Sequence, residues 1–260
     1  MQFLAKIRKE TKTLHEETEN KPFLVRYRGN ELTLVDHYRH LTQLFPLYQT
    51  LESKLQDPNY SLPIPEKLHY LLDQSKKIAA DLQFIEPHIP HQYKNQLLKS
   101  TETYVDYLKK LDIKDNANEI FGHFLVRILG DLYGGQQIKR YVLNLFRRKE
   151  LNLNNEQDDK QGVTVYSFPT NLLTPDDDAL PNVTRWLNHL SCSTENEDKI
   201  VASCNDAFQR HIPLFDELES TRCSQTQNHC NLFKKTAFIG TAAIAASVVT
   251  LAGVALINRF

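Results

Sequence analysis

A cluster of glycines beside an acid is the strongest chemical signal in the chain. Gly130, Gly134 and Gly135 are three of only eight glycines, and they lie within six residues in a strongly helical pattern. Each glycine costs a helix interior about 1 kcal/mol relative to alanine, so their presence indicates a close approach to the backbone or a bend. Tight helix–helix contact is one interpretation. Asp131 favours the other, an open site for a flat ligand, because a carboxylate is expensive in a packed contact.

A second candidate residue lies near the start of the chain. Residues 2–20 predict one amphipathic helix whose apolar face includes Phe3, Leu4 and Ile7, with His15 at the edge of that face. An imidazole in this place can bind a metal ion, but a lone histidine is more often part of a core. His15 alone therefore predicts no function.

The elements that position these residues are helices. Helical periodicity recurs over 31–56, 66–84, 91–111, 117–149, 177–191 and 196–220, while alternation at 163–168 predicts a short extended piece. The 260-residue chain is 41% hydrophobic, which is typical of a globular protein. Its formal net charge of −1 argues against a nucleic-acid partner, because phosphate binding needs a basic surface. We expect one all-α domain over residues 1–220.

A membrane anchor is predicted after this domain. Residues 236–257 carry no charge, and a helix of that length spans about 33 Å, enough for the hydrocarbon core of a bilayer. Lys234 and Lys235 precede the run and favour a cytosolic domain. The first residues lack the apolar run of a signal peptide. We expect a linker over 221–235 and one transmembrane helix, in the endoplasmic reticulum if the source is eukaryotic.

Two segments together resemble a known family. The segment Leu14–Asn20, which contains His15, and the segment Arg127–Gln136, which contains the glycines, resemble the two signature regions of heme oxygenases. The spacing between them also fits. The similarity covers about residues 5–220 and includes Tyr48, Ser167–Pro169 and Phe208–Leu218. The uncharged tail resembles that of the membrane-bound members.

The resemblance implies a fold and a reaction. It implies an all-α domain that clamps heme between a proximal and a distal helix, with heme as both cofactor and substrate. Dioxygen and electrons would open the ring at a meso carbon to biliverdin, carbon monoxide and ferrous iron. The electrons would come from a reductase of the NADPH–cytochrome reductase type or the ferredoxin type. A basic run after the glycines is either a solvated helix face or a docking patch for an acidic reductase, and it consists of Lys139, Arg140, Arg147 and Arg148.

The resemblance also implies roles for single residues. His15 would be the proximal iron ligand. Asp131 would hold a water network that delivers a proton, and Arg127 would pair with Asp131 or its waters. The glycines would let the distal helix bend over the porphyrin. The implied heme-binding residues are Arg8, Lys12, Tyr48, Arg185, Phe208, Gly130, Gly134 and Gly135.

Some positions depart from the family pattern. Tyr133 stands where animal-type enzymes usually have serine, and this larger side chain would change the distal rim. His211 stands where an asparagine is common. The later helix normally offers Lys and Arg to the heme propionates, but here the register gives Leu180 and Thr184, with Arg185 one residue away. The propionate contacts are therefore expected to be looser or shifted.

Other classes of protein remain open. The same fold hosts di-iron oxidases, which need carboxylate and histidine pairs one turn apart. The chain holds three such pairs: Glu66 with His69, Asp36 with His40, and Glu119 with His123. That chemistry has no need of the glycines or of Asp131. A membrane-tethered heme carrier or sensor would keep His15 without requiring Asp131, and a structural helical protein would bind no heme.

Overall fold

The computed structural model describes residues 2–62, 64–148, 161–169, 179–190 and 193–222. These ranges contain α-helices joined by turns, short 3-10 helices and loops, and no β-strand occurs in them. The α-helices are α1 (Phe3–Glu10), α2 (Lys12–Glu19), α3 (Pro22–Arg28), α4 (Leu34–Leu55), α5 (Gln74–Ile85), α6 (Lys99–Lys110), α7 (Ala117–Tyr133), α8 (Gly135–Arg148), α9 (Ala179–His189) and α10 (194–222). The expectation of an all-α domain is confirmed for this part of the chain.

Helix α4 lies at the centre of the fold. It begins at a capping box, in which the Thr33 hydroxyl accepts the Asp36 N–H at 3.2 Å and the Asp36 carboxylate accepts the Thr33 N–H at 2.8 Å. Leu41, Leu44 and Tyr48 are fully buried. The helix packs against α5, α6, α7 and α8, so α4 holds Tyr48 in the interior where α7 can reach it.

A glycine sets the contact between α7 and α10. A Cβ atom at Gly122 would lie 2.5 Å from the Ser203 Cβ and 2.7 Å from the Ile200 carbonyl oxygen. Such distances are too short for any side chain, so the two helix backbones approach closely here. This contact fixes α10 against the N-terminal half of α7.

The first predicted helix is two helices in the structure. Helix α1 ends at Glu10 and α2 begins at Lys12, with Thr11 between them. The Thr11 hydroxyl donates to the Ile7 carbonyl at 2.8 Å, a local bond with which threonine competes with regular helix. The prediction of one helix over 2–20 is wrong because the apolar face continues across the single-residue break.

The extended piece predicted at 163–168 is also wrong. Thr164–Tyr166 forms a 3-10 turn instead. The buried Asp81 carboxylate accepts the N–H groups of Thr164 and Val165 at 2.8 and 2.9 Å, and these bonds satisfy the backbone without a partner strand. Alternating valines in a short buried turn gave the same pattern as a strand.

Other helix boundaries differ from the sequence prediction. Helix α3 was not expected, and it starts at a proline in the first helical turn. The regions predicted at 66–84 and 91–111 begin with 3-10 turns, Glu66–Asp73 and His91–Tyr93. The region at 117–149 is two helices, α7 and α8, that meet at Gly134.

The chain divides into a compact unit, Met1–Leu218, and a second unit, Glu219–Phe260. No helix in the described ranges has the length and apolarity needed to cross a bilayer. The predicted anchor at 236–257, and the predicted linker from residue 223 onward, lie outside the described residues.

Candidate active site

Asp131 is the buried acid of the candidate site. It lies on the last turns of α7 and is only 3% exposed. The Tyr48 hydroxyl on α4 donates to its Oδ2 atom, and Arg127 Nη2, one turn earlier on α7, lies 3.9 Å from its Oδ1 atom. Burial raises the pKa of the Asp131 carboxyl, although the Arg127 charge and the Tyr48 bond oppose that rise. A carboxyl in this setting is suited to hold and release a proton.

Arg127 is held from its other side by His211 on α10. His211 Nδ1 lies 2.7 Å from the Ala207 carbonyl oxygen, which assigns the ring hydrogen to Nδ1. The Nε2 lone pair then accepts from Arg127 Nη1 at 2.7 Å. Burial lowers the pKa of His211 well below its ordinary value, and the Arg127 charge lowers it further. The ring therefore stays neutral and serves as a fixed acceptor, which an asparagine amide can also do.

Tyr48 and Lys77 complete the surroundings of the acid. Burial, with the Asp131 charge added, raises the pKa of Tyr48 well above its ordinary value. The Tyr48 hydroxyl therefore stays protonated and acts as a hydrogen-bond donor to Asp131. Lys77 on α5 was not singled out from the sequence, yet its charge opposes the pKa rise at Asp131. Its Nζ atom lies 3.4 Å from the Ser167 carbonyl oxygen. No motif marks this lysine, because it comes from a distant helix.

The three glycines have different surroundings. A Cβ atom at the exposed Gly130 would meet nothing closer than Arg127 Nη2 at 3.8 Å. A Cβ atom at Gly134 would meet the Gly130 carbonyl oxygen at 3.1 Å, within the same turn of backbone. At Gly135 it would lie 2.7 Å from Tyr166 Cδ1, so this glycine permits tight packing. The backbone at Gly130 is therefore open, whereas Gly135 permits tight packing against Tyr166. Binding of a flat ligand at the open backbone stays a prediction.

His15 lies on α2 and is accessible. Its side chain is 52% exposed, and its Nε2 atom lies 3.7 Å from the Glu19 carboxylate. The ring meets Phe208 of α10 edge-on, with 5.7 Å between ring centroids. Helix α10 thus contributes Phe208 beside His15 and His211 beside Arg127.

The predicted basic residues occupy three places. The Arg8 guanidinium lies 4.8 Å from the Tyr133 ring centroid, a cation–π contact that joins α1 to the end of α7. The Lys12 side chain is 72% exposed, with its Nζ atom 3.7 Å from the Glu16 carboxylate. On α9, Arg185 donates from Nη1 to Asn182 at 3.3 Å. Their contacts with heme remain predictions.

The acid–histidine pairs considered for a di-iron centre serve other purposes. Asp36 caps α4. His69 Nε2 lies 3.0 Å from the Ile64 carbonyl oxygen, and the Tyr104 hydroxyl lies 2.7 Å from His123 Nδ1. Within the described ranges, no group of three or more metal-ligating side chains could hold a metal ion.

The residues present fit a heme. An accessible imidazole at His15 can supply an axial ligand. The exposed backbone at Gly130 offers a face without a side chain, on the helix that carries Asp131. Arg8 provides a cation suited to a propionate at the rim.

Known heme oxygenases are similar to this chain in sequence. The family model described as heme oxygenase matches residues 1–217. The chain is 25% identical over 240 residues to heme oxygenase 1 of Bos taurus, covering 86% of this chain and 73% of that protein. It is also 25% identical over 216 residues to heme oxygenase of Guillardia theta, covering 82% of this chain and 84% of that protein.

Solved structures give the same fold. Synechocystis heme oxygenase-1 in complex with heme superposes with a TM-score of 0.69 at 22% identity, covering 87% of this chain and 96% of that one. Synechocystis heme oxygenase-2 in complex with heme and NO superposes with a TM-score of 0.67 at 25% identity, covering 85% and 86%. The family model spans most of the chain, so this protein belongs to the heme oxygenase family.

Proposed function

We propose that this protein opens heme at a meso carbon to biliverdin, carbon monoxide and ferrous iron, using dioxygen and electrons from a reductase. This is the activity of the family to which the chain belongs. The observation that carries the proposal is the Asp131–Tyr48–Arg127 group, a buried acid with a raised pKa on the same helix as an open glycine face. A heme carrier or sensor needs an iron ligand but no such acid.

The chain's own residues have different roles in the proposed reaction. His15 would hold the heme iron through an imidazole nitrogen, and Gly130 leaves its helix backbone without a side chain beside Asp131. Asp131 holds a proton for delivery through water, and Tyr48 keeps the carboxyl oriented. Arg127, held by His211, fixes the charge beside the acid. Bound heme supplies the oxidising chemistry, because the porphyrin is both cofactor and substrate.

The proposal is tested by mixing the full chain with one equivalent of hemin and recording the visible spectrum. A reductase and air are then added, and biliverdin and carbon monoxide are measured. We expect a histidine-type Soret band that decays as biliverdin forms. A stable Soret band with every reductase type tried would indicate a carrier or sensor. No Soret band would indicate a protein that does not bind heme.

The membrane and the reductase belong to the same proposal. The uncharged run at 236–257, with Lys234 and Lys235 before it, supports a single anchor that leaves the domain in the cytosol. The basic run that includes Lys139 and Arg140 supports an acidic reductase surface as the partner. Truncation before residue 236 should move the protein from the membrane fraction to the supernatant without loss of biliverdin formation. If the truncated protein stayed with the membrane, the anchor would lie elsewhere.

A further inference from the structure

A group of buried polar side chains lies between α3 and α4 and has no role in the reaction described above. Tyr27, His37 and His40 are each at most 3% exposed. The Tyr27 hydroxyl lies 3.0 Å from His37 Nδ1 and 3.1 Å from His40 Nδ1. His37 Nε2 lies 3.2 Å from the Gly162 carbonyl oxygen. We refer to these three side chains as the Tyr27 cluster.

The hydrogen-bond pattern assigns every proton in the Tyr27 cluster. A carbonyl oxygen can only accept, so His37 carries its hydrogen on Nε2 and its Nδ1 accepts from the Tyr27 hydroxyl. The single hydroxyl hydrogen is then used, so His40 Nδ1 must donate to the Tyr27 oxygen. The remaining His40 nitrogen, Nε2, is therefore an acceptor with a free lone pair. Burial lowers the pKa of both histidines, to about 4 for His37, which keeps both rings neutral.

Two buried atoms of opposite hydrogen-bonding character are left over. His40 Nε2 and Arg127 Nε have no partner among the described protein atoms. The ring of His40 and the ring of His211, which accepts from Arg127, both contact the ring of Phe215 on α10. The Phe215 ring centroid lies 5.8 Å from the His40 centroid and 6.3 Å from the His211 centroid, so the unpartnered atoms of His40 and Arg127 belong to one region of the interior. In agreement with this, the Arg127 charge lowers the pKa of His40. A buried polar group without a partner is costly, and a water molecule can satisfy an acceptor and a donor together.

We propose an internal water site between His40 Nε2 and Arg127 Nε, in which the water accepts from Arg127 and donates to His40. His40 is then a positioning residue that acts through this water on the Arg127 guanidinium. The guanidinium is thereby held on two sides, by His211 at Nη1 and by the water at Nε. The catalytic benefit of this arrangement rests on the function proposed above, whereas the water site itself does not.

The test uses the full heme-free chain, so the water site can fail independently of heme turnover. Proton–nitrogen correlation spectra report the His40 tautomer, and water-selective cross-relaxation at the Arg127 Hε proton reports a long-lived water. We expect hydrogen on His40 Nδ1 and a bound-water signal at Arg127 Hε. The signal should disappear in His40→Leu and persist in His40→Gln, whose amide oxygen can accept. The exposed His91→Leu serves as the control.

A positioning role makes one further demand. The Asp131 pKa, followed through its carboxyl carbon shift, should rise in His40→Leu and return toward the wild-type value in His40→Gln. The proposal is overturned if the wild-type chain gives no bound-water signal, or if His40 carries its hydrogen on Nε2. Both of these measurements use the wild-type protein, so a variant that fails to fold does not prevent the decision.

Discussion

The two faces of the proposed heme site are fixed by the fold to different degrees. On the distal face, Asp131 is buried and is held by Tyr48 from α4 and by Arg127, which His211 holds in turn. On the proximal face, His15 is half exposed and meets only a carboxylate and one aromatic edge in the described contacts. The difference follows from the chemistry. The pKa of an acid depends on its surroundings and needs a prebuilt setting, whereas a residue proposed to bind iron must remain accessible to the metal.

The largest expected effect comes from the distal acid. Asp131→Asn keeps the shape and the Tyr48 hydrogen bond but removes the proton, so biliverdin formation should fall by about 100-fold or more. Hemin binding, followed by the Soret band, should be retained. Asp106→Asn, at an exposed position of α6, is the matched control. Wild-type turnover in the Asp131 variant would remove the proton-delivery role.

The buried histidines predict that the free energy of unfolding depends on pH. His37 is neutral when folded, with its pKa lowered by burial to about 4, and has an ordinary value near 6.5 in the unfolded chain. The unfolded state therefore binds more protons between these values, and stability is lost as the pH falls from about 6.5 to about 4, by about 3 kcal/mol for this ring. Denaturant unfolding of His37→Phe should show a correspondingly flatter pH dependence, and the exposed His91→Phe should leave it unchanged.

Loss of the hydrogen bond between Arg127 and His211 is expected to have an intermediate effect on the free energy of unfolding. His211→Leu leaves a buried guanidinium nitrogen without its acceptor, which should lower the free energy of unfolding by about 1–3 kcal/mol. His211→Asn should recover part of this loss, because its amide oxygen can accept. The two variants are compared by denaturant unfolding of the heme-free protein. Equal stability of both would mean that the Arg127 contact contributes little.

The proximal face should show the smallest effect on the heme-free protein. His15→Ala removes a half-exposed side chain, so the free energy of unfolding should change by no more than about 0.5 kcal/mol. The same variant should alter the Soret band, because the iron ligand is lost. A large destabilisation without heme would contradict the contrast between the two faces. An unchanged heme spectrum would assign the ligand to another residue.

The sequence predicted the parts of the site that lie close together in the chain or belong to the family pattern. Arg127 and Asp131 are one helical turn apart, and the resemblance added Tyr48, which the structure brings to the same carboxylate. The Arg127–His211 bond spans 84 residues, so no local pattern contains it. Lys77 was missed for the same reason.

The all-α domain was predicted correctly, but the breaks between its helices were not. Hydrophobic periodicity identified α4 and α6 because their apolar residues recur with the helical period over several turns. It missed the interruption at Thr11, where one side chain bonds back to the Ile7 carbonyl. It also read the buried turn Thr164–Tyr166 as extended, because the decisive carboxylate of Asp81 lies on another helix.

Helix α10 contacts residues of both faces, and Gly122 sets the distance between α10 and α7. Phe208, which contacts the candidate iron ligand His15, and His211, which contacts Arg127, are three residues apart on this helix. A side chain at position 122 would displace α10 near Ser203 and so shift the contacts of Phe208 and His211 together. A displacement of the α10 backbone would therefore affect both contacts, whereas a substitution at Phe208 or at His211 would affect one. If the proposed roles hold, a natural variant at Gly122 would weaken heme binding and proton delivery together, although none of the residues of the proposed site had changed.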